Sequence, residues 1–247
     1  MKFTSTKASH DRRLRILMYG ASGTGKTWMV RTLPDPSRVL LVAAEPGTLS
    51  LGDIDMPMVT LDAPDDLAKV CKAMLSRGDK YDWLVVDSLS AWADSVLAEE
   101  LPRNQHGLKA YGAMQDRVMA MVRGPLRDIP QHVLCIARQE RVVVDGSQVL
   151  VPGLPGQAMT HKHPVAHEFD AVWCLWALKE GEKSRRLLQT DSAADPRATA
   201  KTRDPWGRIA PWEEPDLGDL TGRLLAPQPQ VEVPAEPQAE VLADEVV

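Results

Sequence analysis

The chain contains 247 residues, of which 44% are hydrophobic and 26% are charged, and its formal net charge at pH 7 is −5. This length is sufficient for one sizeable α/β domain with a full core, and the composition is that of an ordinary globular protein. The mildly acidic balance excludes a basic coat for nucleic acid over the whole surface, although it is compatible with local basic loops.

The cysteines and the apolar runs indicate a cytoplasmic protein. No apolar run approaches the roughly 18 residues of a membrane span, and the N-terminal residues lack the apolar stretch of a signal peptide. Cys71, Cys135 and Cys174 lie far apart inside apolar segments and do not have metal-ligand spacing. We therefore expect no membrane partner, and buried, reduced thiols in a cytoplasm.

The composition along the sequence divides the chain into three parts. Residues 1–11 are polar, and we expect a flexible N-terminal arm. Residues 12–225 alternate between apolar runs and helical patterns, which predicts one α/β domain. Residues 226–247 carry five acidic residues, four prolines and no basic residue, so we expect a disordered acidic tail. This tail either keeps the protein soluble or contacts a partner, and the sequence leaves both roles open.

Short apolar runs predict strands that are buried on both faces, and apolar residues at helical spacing predict helices. Asp145-Gly146 lies between two strand-like runs and is a hairpin signal. Together they predict an α/β fold with a mostly parallel central sheet, flanked by helices and continued by an antiparallel extension. The predicted elements in chain order are strand 14–19, helix 27–33, strands 39–43 and 59–61, helix 64–76, strand 83–86, helices 89–101 and 111–126, and strands 133–137, 141–144, 148–151, 171–178 and 186–190.

Residues 20–27 read GASGTGKT, which matches the phosphate-binding loop G-x-x-x-x-G-K-[ST] at every restricted position. Backbone N–H groups of such a loop surround phosphate oxygens, and the following helix adds a partial positive charge. Lys26 would reach the β- and γ-phosphates of ATP, and the Thr27 hydroxyl would bind Mg²⁺. The residues predicted to bind the nucleotide are Gly20, Ala21, Ser22, Gly23, Thr24, Gly25, Lys26, Thr27 and Trp28, the last with its side chain packed in the helix.

Glu45 follows the second predicted strand directly. A carboxylate at the carboxyl end of a parallel strand points into the crevice where ligands bind in such sheets. It could orient and deprotonate an attacking water. We therefore predict Glu45 as the catalytic base, with a surface loop acid as the alternative.

Asp87 ends the apolar run Trp-Leu-Val-Val. In proteins with a phosphate-binding loop, an acid at this place holds Mg²⁺. Asp87 is therefore predicted, with Thr27, as a metal ligand. Ser88 follows it, so the second acid that many motor ATPases carry at this place is missing, and Glu45 is the acid that can replace it.

Arg138 and Gln139 follow the strand predicted at 133–137. A polar residue at such a strand tip can sense the γ-phosphate and relay its state to the next segment. We predict both residues as sensors. A salt-bridged strand end without this role is the alternative.

These features together resemble the RecA-like ATPase core. The chain is similar to phage-encoded P-loop proteins of the AAA type, some of which are Sak-type recombination proteins that act on single-stranded DNA. The likeness covers residues 14–225, and it includes Tyr111-Gly112 at the start of a long helix, the segment 152–157 and residues 200–204.

The resemblance implies a RecA-like ATPase domain at 12–225 and two mobile segments that face DNA, at 102–109 and 141–163. It implies a ring or filament of identical subunits in the host bacterium's cytoplasm, and a single-strand-binding or annealing protein as a further partner. Lys201 and Arg203 would act in trans on a neighbour's γ-phosphate, or they are ordinary surface charges.

Other interpretations remain open. A nucleotide switch or assembly adaptor without hydrolysis, a helicase loader, a packaging motor and a small-molecule kinase are compatible with a phosphate-binding loop, although no arginine-rich lid of a kinase is present. His161, His163 and His167 form either a zinc site or, as we expect, a pH-sensitive loop.

Overall fold

The computed structural model describes residues 13–76, 80–104, 106–156, 164–181 and 183–227. The elements in chain order are β1 (Arg15–Gly20), α1 (Lys26–Met29), β2 (Val39–Ala43), β3 (Met58–Thr60), α2 (Asp66–Ser76), β4 (Trp83–Asp87), α3 (Leu89–Arg103), α4 (Gly107–Arg123), α5 (Pro125–Asp128), β5 (His132–Val144), β6 (Ser147–Gly153), α6 (Pro164–His167), β7 (Ala171–Glu180), β8 (Lys183–Gln189), β9 (Lys201–Thr202), β10 (Trp212–Glu213) and α7 (Leu217–Leu225). The predicted N-terminal arm and all but the first residues of the predicted tail lie outside these ranges.

The described strands form one sheet with a parallel centre. Strands β7, β1, β5, β4, β2 and β3 lie side by side in that order, and each neighbouring pair is parallel. Strands β8 and β10 continue the sheet antiparallel beyond β7, while β9 pairs with the first residues of β7 and β6 with the last residues of β5. The predicted mostly parallel sheet with an antiparallel extension is confirmed.

Helices cover both faces of the central strands. Successive residues of a strand point to opposite faces. Val133, Cys135 and Ala137 of β5 therefore pack with residues of α2, α3 and α4. Leu134 and Ile136 pack with residues of α1 and α7 on the other face. Burial on both faces explains why these strands appear in the sequence as continuous apolar runs.

The three cysteines are buried and unpaired, as predicted. Burial raises the pKa of Cys71 and of Cys174 to about 12, and it also raises the pKa of Cys135. These thiols therefore stay neutral at physiological pH and fill the core as small apolar groups.

The helix that follows the glycine loop is shorter than the predicted helix 27–33. The α-helix ends at Met29, and residues Val30–Thr32 form a 3₁₀ turn. β-Branched side chains at Thr27, Val30 and Thr32 lower the helix propensity, and a proline at position 34 prevents continuation. The partial positive charge that a helix N-terminus would add at the loop therefore comes from a helix of one turn.

No helix within the described ranges has the length and apolarity to cross a bilayer.

The first segment predicted to be mobile, 102–109, is mostly helical. Helix α3 continues through Arg103, and α4 begins at Gly107. Arg117 of α4 donates hydrogen bonds to Glu99 (2.9 Å) and Glu100 (2.8 Å) of α3, which ties the two helices together. The predicted loop is therefore too long: α3 continues past Pro102, and the connection between the two helices is limited to residues 104–106. Contact of this segment with DNA stays a prediction.

The second such segment, 141–163, begins as a β-hairpin. Strand β5 runs without a break through the two strands predicted at 133–137 and 141–144, and it turns at Asp145 (φ 50°) and Gly146 (φ 78°) into β6. Two positive φ angles define the hairpin turn that matches strand twist. The hairpin predicted at Asp145-Gly146 is therefore confirmed. The mobility of this segment and its contact with DNA stay predictions, and residues 157–163 lie outside the described ranges.

Helix α7 packs against the 3₁₀ turn that follows α1. The Leu217 N–H donates to Thr32 Oγ1 at 2.8 Å, and Asp216 caps the helix by accepting from the Asp219 N–H at 3.0 Å. A Cβ at Gly218 would lie 2.5 Å from the carbonyl oxygen of Thr32. This close contact anchors α7 to the turn that follows α1.

Two glycines of α7 provide a test of this contact. We expect Gly218→Ala to lower the free energy of unfolding by about 2 kcal/mol, because the new methyl group meets a backbone oxygen that cannot move away. Gly222→Ala is the matched control, since a Cβ there meets nothing within 4 Å, and better helix propensity should stabilise that variant by about 1 kcal/mol. Urea unfolding measures both, and equal destabilisation of the two variants would contradict the packing described for α7.

Candidate nucleotide-binding site

The glycine loop connects the end of β1 to the start of α1. Gly23 and Gly25 have φ angles of 75° and 99°, in the region that L-residues with a side chain rarely adopt. The Thr24 hydroxyl donates to the carbonyl of Ala21 at 2.9 Å and closes the loop on itself. The sequence therefore builds a tight, preformed loop at the carboxyl edge of the sheet.

Lys26 lies over this loop. Its ammonium donates to the carbonyl oxygens of Gly20 (2.8 Å) and Ala21 (2.9 Å). Burial lowers the pKa of Lys26, and the nearby carboxylates of Asp87 and Glu45 oppose that effect. Lys26 is thus a positive charge held at the mouth of the loop.

Thr27 and Asp87 form the central contact of the site. The Thr27 hydroxyl donates to Asp87 Oδ2 at 2.6 Å, and Asp87 is 8% exposed at the end of β4. Desolvation raises the pKa of Asp87, the Thr27 hydrogen bond lowers it, and Glu45 raises it again. Ionised Asp87 therefore carries a desolvation cost that a bound cation would relieve.

The chemistry of this pair fits Mg²⁺. Mg²⁺ prefers oxygen ligands, and proteins commonly supply one or two carboxylates while phosphate groups and waters supply the rest. Asp87 and Thr27 offer a carboxylate and a hydroxyl in hydrogen-bond contact, and within the described ranges Asp87 forms no ion pair with a basic side chain at 4.0 Å or less. These two residues would hold the ion, as predicted.

Glu45 lies at the same edge as Asp87. Strands β2 and β4 are neighbours in which Ala43 pairs with Asp87, and the Ala44 N–H donates to the Asp87 carbonyl at 2.8 Å. Glu45 follows directly, and its Oε2 is 3.8 Å from Nη2 of Arg138. The structure therefore brings Glu45, Asp87 and Lys26 together, as expected for strands that end at one edge.

Of the two predicted sensors, Arg138 lies beside Glu45, although it does not line the cleft at the glycine loop. The parallel register places Arg138 opposite Gly20, and its guanidinium pairs with Asp94 of α3 at 2.6 Å. The backbone N–H of Arg138 donates to Ser90 Oγ at 2.9 Å. Gln139 is the next residue of β5 and pairs with Pro152 in the hairpin.

A cleft of about 520 Å³ opens at the glycine loop beside Lys26, Glu45 and Asp87. It is lined by Ser22, Gly23, Gly25, Lys26, Thr27, Trp28, Glu45, Gly47, Ser50, Asp87 and Arg186. Most of the lining residues are predicted site residues, although sequence reasoning missed Gly47, Ser50 and Arg186. Gly47 and Ser50 lie in the segment after β2. The prediction that Glu45 belongs to the site could have indicated that the residues following it also line the cleft.

Arg186 could not be found from local sequence. It lies on β8, and its Nε donates to the carbonyl of Thr24 at 2.7 Å. It joins the site because β8 folds back on β7 in a hairpin and β7 pairs with β1, which is distant in sequence. No local motif marks that second pairing.

The Trp28 side chain is not packed in the helix as predicted. It is 42% exposed and lines the cleft. The guanidinium of Arg31 lies 5.2 Å from the centre of its ring. Its place at the cleft is compatible with the predicted contact to the nucleotide.

A second cleft, of about 580 Å³, lies at the opposite edge of the sheet and is lined in part by Arg15, Asp170 and Arg203. Three of its charged groups, Arg15, Asp170 and Arg203, already have partners in the protein. Arg15 donates to the carbonyls of Arg127 (2.8 Å) and Gln131 (2.8 Å), and Arg203 pairs with Asp170 at 2.9 Å. We therefore assign the ligand site to the cleft at the glycine loop, which contains the motif.

Lys201 and Arg203 lie at this opposite edge. Lys201 belongs to β9, which pairs with the first residues of β7, and burial lowers its pKa. Neither residue lines the cleft at its own glycine loop. A role in trans on a neighbouring subunit stays a prediction.

The histidine cluster falls mostly outside the described ranges, which contain neither His161 nor His163. His167 ends α6. The described residues contain no group of three or more His, Cys, Asp or Glu side chains that could hold a metal ion. The role of the cluster therefore stays open.

The buried carboxylate of Asp87 leads to a prediction about stability. Because its pKa in the folded protein is raised, ionisation of Asp87 at neutral pH costs folding free energy, and this cost is absent in acid, where the carboxyl is protonated in both states. We expect Asp87→Asn to raise the free energy of unfolding by about 1 kcal/mol at pH 7 without Mg²⁺ or nucleotide, and the gain should shrink as the pH falls. Urea unfolding with EDTA at several pH values measures this.

Asp116→Asn is the control, because Asp116 is exposed on α4, and it should change stability by less than about 0.5 kcal/mol. Destabilisation by Asp87→Asn at pH 7 would mean that the Thr27 contact outweighs the desolvation of the charge.

Comparison with known families agrees with this geometry. The model of a family described as an AAA domain matches residues 12–203, which is well over half of the chain. The match includes the glycine loop and the strands that lead to Glu45, Asp87 and Arg138. No curated protein sequence matches the chain. The chain therefore belongs to the AAA domain family of nucleotide-binding P-loop NTPases.

Proposed function

We propose that the protein is a Mg²⁺-dependent ATPase of RecA-like, phage type that acts in DNA recombination, repair or replication, with single-stranded DNA as a partner. The observation that carries the ATPase part is the 2.6 Å hydrogen bond from Thr27 to the buried Asp87, with Lys26 and Glu45 lining the same cleft. These groups lie at one edge of the sheet, where parallel α/β folds bind ligands.

The loop and Lys26 would bind the triphosphate of ATP, and Thr27 and Asp87 would hold Mg²⁺. The ion, when bound, would neutralise charge that develops on the phosphate oxygens. Lys26 would contribute to the same stabilisation from the protein side, because burial of its amine strengthens its interaction with an anion.

Glu45 would act as the general base. In hydrolysis, a water oxygen forms a bond to the γ-phosphorus, the bond from that phosphorus to the β–γ bridging oxygen breaks, and the water proton passes to the Glu45 carboxylate. Glu45 suits this role because the residue after Asp87 is Ser88, whose hydroxyl caps α3 by accepting from the Ala91 N–H at 3.1 Å. No acid therefore follows Asp87 directly, and Glu45 is the other carboxylate that lines the cleft.

Strand β5 would connect ATP to DNA. Arg138 stands next to Glu45 (3.8 Å) at the edge of the sheet, and the same strand continues without a break into the hairpin that carries Arg141. A basic side chain on such a hairpin can bind a nucleic-acid phosphate without reading sequence. An oligomer, whether a ring or a filament, would add affinity by avidity, and a single-strand-binding or annealing protein is a further proposed partner.

The contact between Arg138 and Glu45 also favours a second candidate. The guanidinium lies 3.8 Å from the carboxylate that would otherwise take a proton from water, and it pairs more closely with Asp94, at 2.6 Å. In a nucleotide switch or assembly adaptor, which binds ATP without hydrolysing it, Arg138 would stay beside Glu45 when ATP is bound, and Glu45 would not take up a proton. Turnover separates the two candidates.

Phosphate release from ATP by the full chain, with and without oligo(dT), tests the proposal. We expect hydrolysis that single-stranded DNA stimulates. Glu45→Gln should lower kcat by about 10²- to 10³-fold and leave the Kd for ATP within about twofold, because it removes the base and keeps the shape of the side chain. Lys26→Ala should abolish ATP binding and turnover.

Glu214→Gln is the matched control, because Glu214 has an exposed side chain between β10 and α7 and does not line the cleft. This variant should turn over ATP like the wild type. Wild-type kcat in Glu45→Gln would show that another group takes the proton. ATP binding with no turnover under any DNA condition would support the switch or adaptor instead.

A further inference from the structure

Arg186 contacts the glycine loop from a strand that no motif marks. Its Nε donates to the Thr24 carbonyl at 2.7 Å. Its guanidinium also lies beside Gly25, where a Cβ would come within 3.2 Å of Nε. Arg186 and Lys26 both line the cleft, so the loop has a cationic side chain from each of two different elements.

The hydrogen bond through Nε fixes the guanidinium and leaves its outer nitrogens available. Within the described ranges, neither Nη atom of Arg186 makes a hydrogen bond or an ion pair with the protein. Arg185, the preceding residue, differs: its guanidinium pairs with Glu214 at 2.6 Å. Adjacent residues of a strand point to opposite faces, so one arginine serves a surface ion pair while the other lines the cleft.

An arginine in this position suits a polyphosphate. Its planar fork of donors matches the oxygens of a phosphate group, and hydrogen bonds between charged partners are stronger than neutral ones. We propose that Arg186 is a phosphate-binding residue of this site, supplied in cis by β8, that contacts the polyphosphate of the bound nucleotide. This inference rests on the proposed function, because it requires that the loop binds a nucleoside di- or triphosphate.

Cis supply has a consequence for assembly. The subunit that holds the loop brings its own arginine to the phosphates, so its affinity for ATP does not require a neighbour. Lys201 and Arg203 lie at the other edge of the sheet and would at most supplement this charge in an oligomer. Loss of Arg186 should therefore weaken binding equally at high and low protein concentration.

The test is the Kd for ATP, measured by calorimetry with Mg²⁺ on the full chain. Arg186→Ala should weaken ATP binding by about 10- to 100-fold, the range for a hydrogen bond between charged partners. Arg185→Ala is the matched control and should bind ATP within about twofold of wild type. Arg186→Lys keeps the charge without the fork and should lie between them.

Arg186→Gln separates phosphate binding from a structural role. A glutamine amide can still donate to the Thr24 carbonyl, but it carries no charge. We expect Arg186→Gln to lose as much affinity as Arg186→Ala while it unfolds at the wild-type urea midpoint. Wild-type affinity in Arg186→Gln would show that the residue only shapes the loop, and wild-type affinity in Arg186→Ala would exclude both roles; either result overturns the inference.

Failure of the proposed function would look different. If the wild-type chain does not bind ATP with Mg²⁺, the function is wrong and the inference falls with it. If wild-type protein binds ATP and the Arg186 variants bind it equally well, only the inference is wrong.

Discussion

The hydrogen bond between Thr27 and Asp87 is the contact on which the rest of the site depends. It joins the glycine loop to a strand that is not adjacent to β1, because β5 lies between β1 and β4. The sheet makes this contact possible by burying β4 on both faces, which also desolvates Asp87. The fold therefore maintains a carboxylate at a cost in stability, and a bound cation would offset that cost. Binding sites commonly contain groups that lower the stability of the folded protein because function requires them.

The same edge of the sheet concentrates opposite charges on neighbouring elements. Lys26 and Arg186 approach the loop from α1 and β8, and Arg138 stands between Glu45 and Asp94. These three cations belong to different elements of the fold. A negatively charged ligand at the loop would therefore interact electrostatically with several elements at once. Strand β5 is one of these elements, because it carries Arg138 at the edge of the sheet and then continues into the hairpin with β6.

Features of the site that depend on local sequence could be predicted. The phosphate-binding loop is a contiguous motif, and Glu45 and Asp87 end wholly apolar runs, so parallel pairing alone brings them to one edge. The central strands were also predicted, because strands that are buried on both faces appear in the sequence as continuous apolar runs. The hairpin of β5 and β6 was also predicted, because Asp145-Gly146 is a turn signal between two strand-like runs. The helices on either side of residues 104–106 extend further than the sequence predicted.

Arg186 marks the limit of sequence reasoning. The hairpin of β7 and β8 is local, but its place beside the glycine loop depends on the pairing of β7 with β1 across a long sequence separation. The adjacent Arg185 has the same chemistry and a different role, so residue type alone could not have distinguished them. The length of α1 was also mispredicted, because a loop motif followed by apolar residues does not show how soon β-branched side chains and a proline end the helix.

A crystal structure of the full chain with a non-hydrolysable ATP analogue and Mn²⁺ in place of Mg²⁺ would test the central claim most directly. The account predicts the triphosphate within the loop 20–27 and the anomalous signal of Mn²⁺ beside Thr27 Oγ1 and Asp87. Nucleotide bound elsewhere, or a metal ion held away from Asp87, would contradict it.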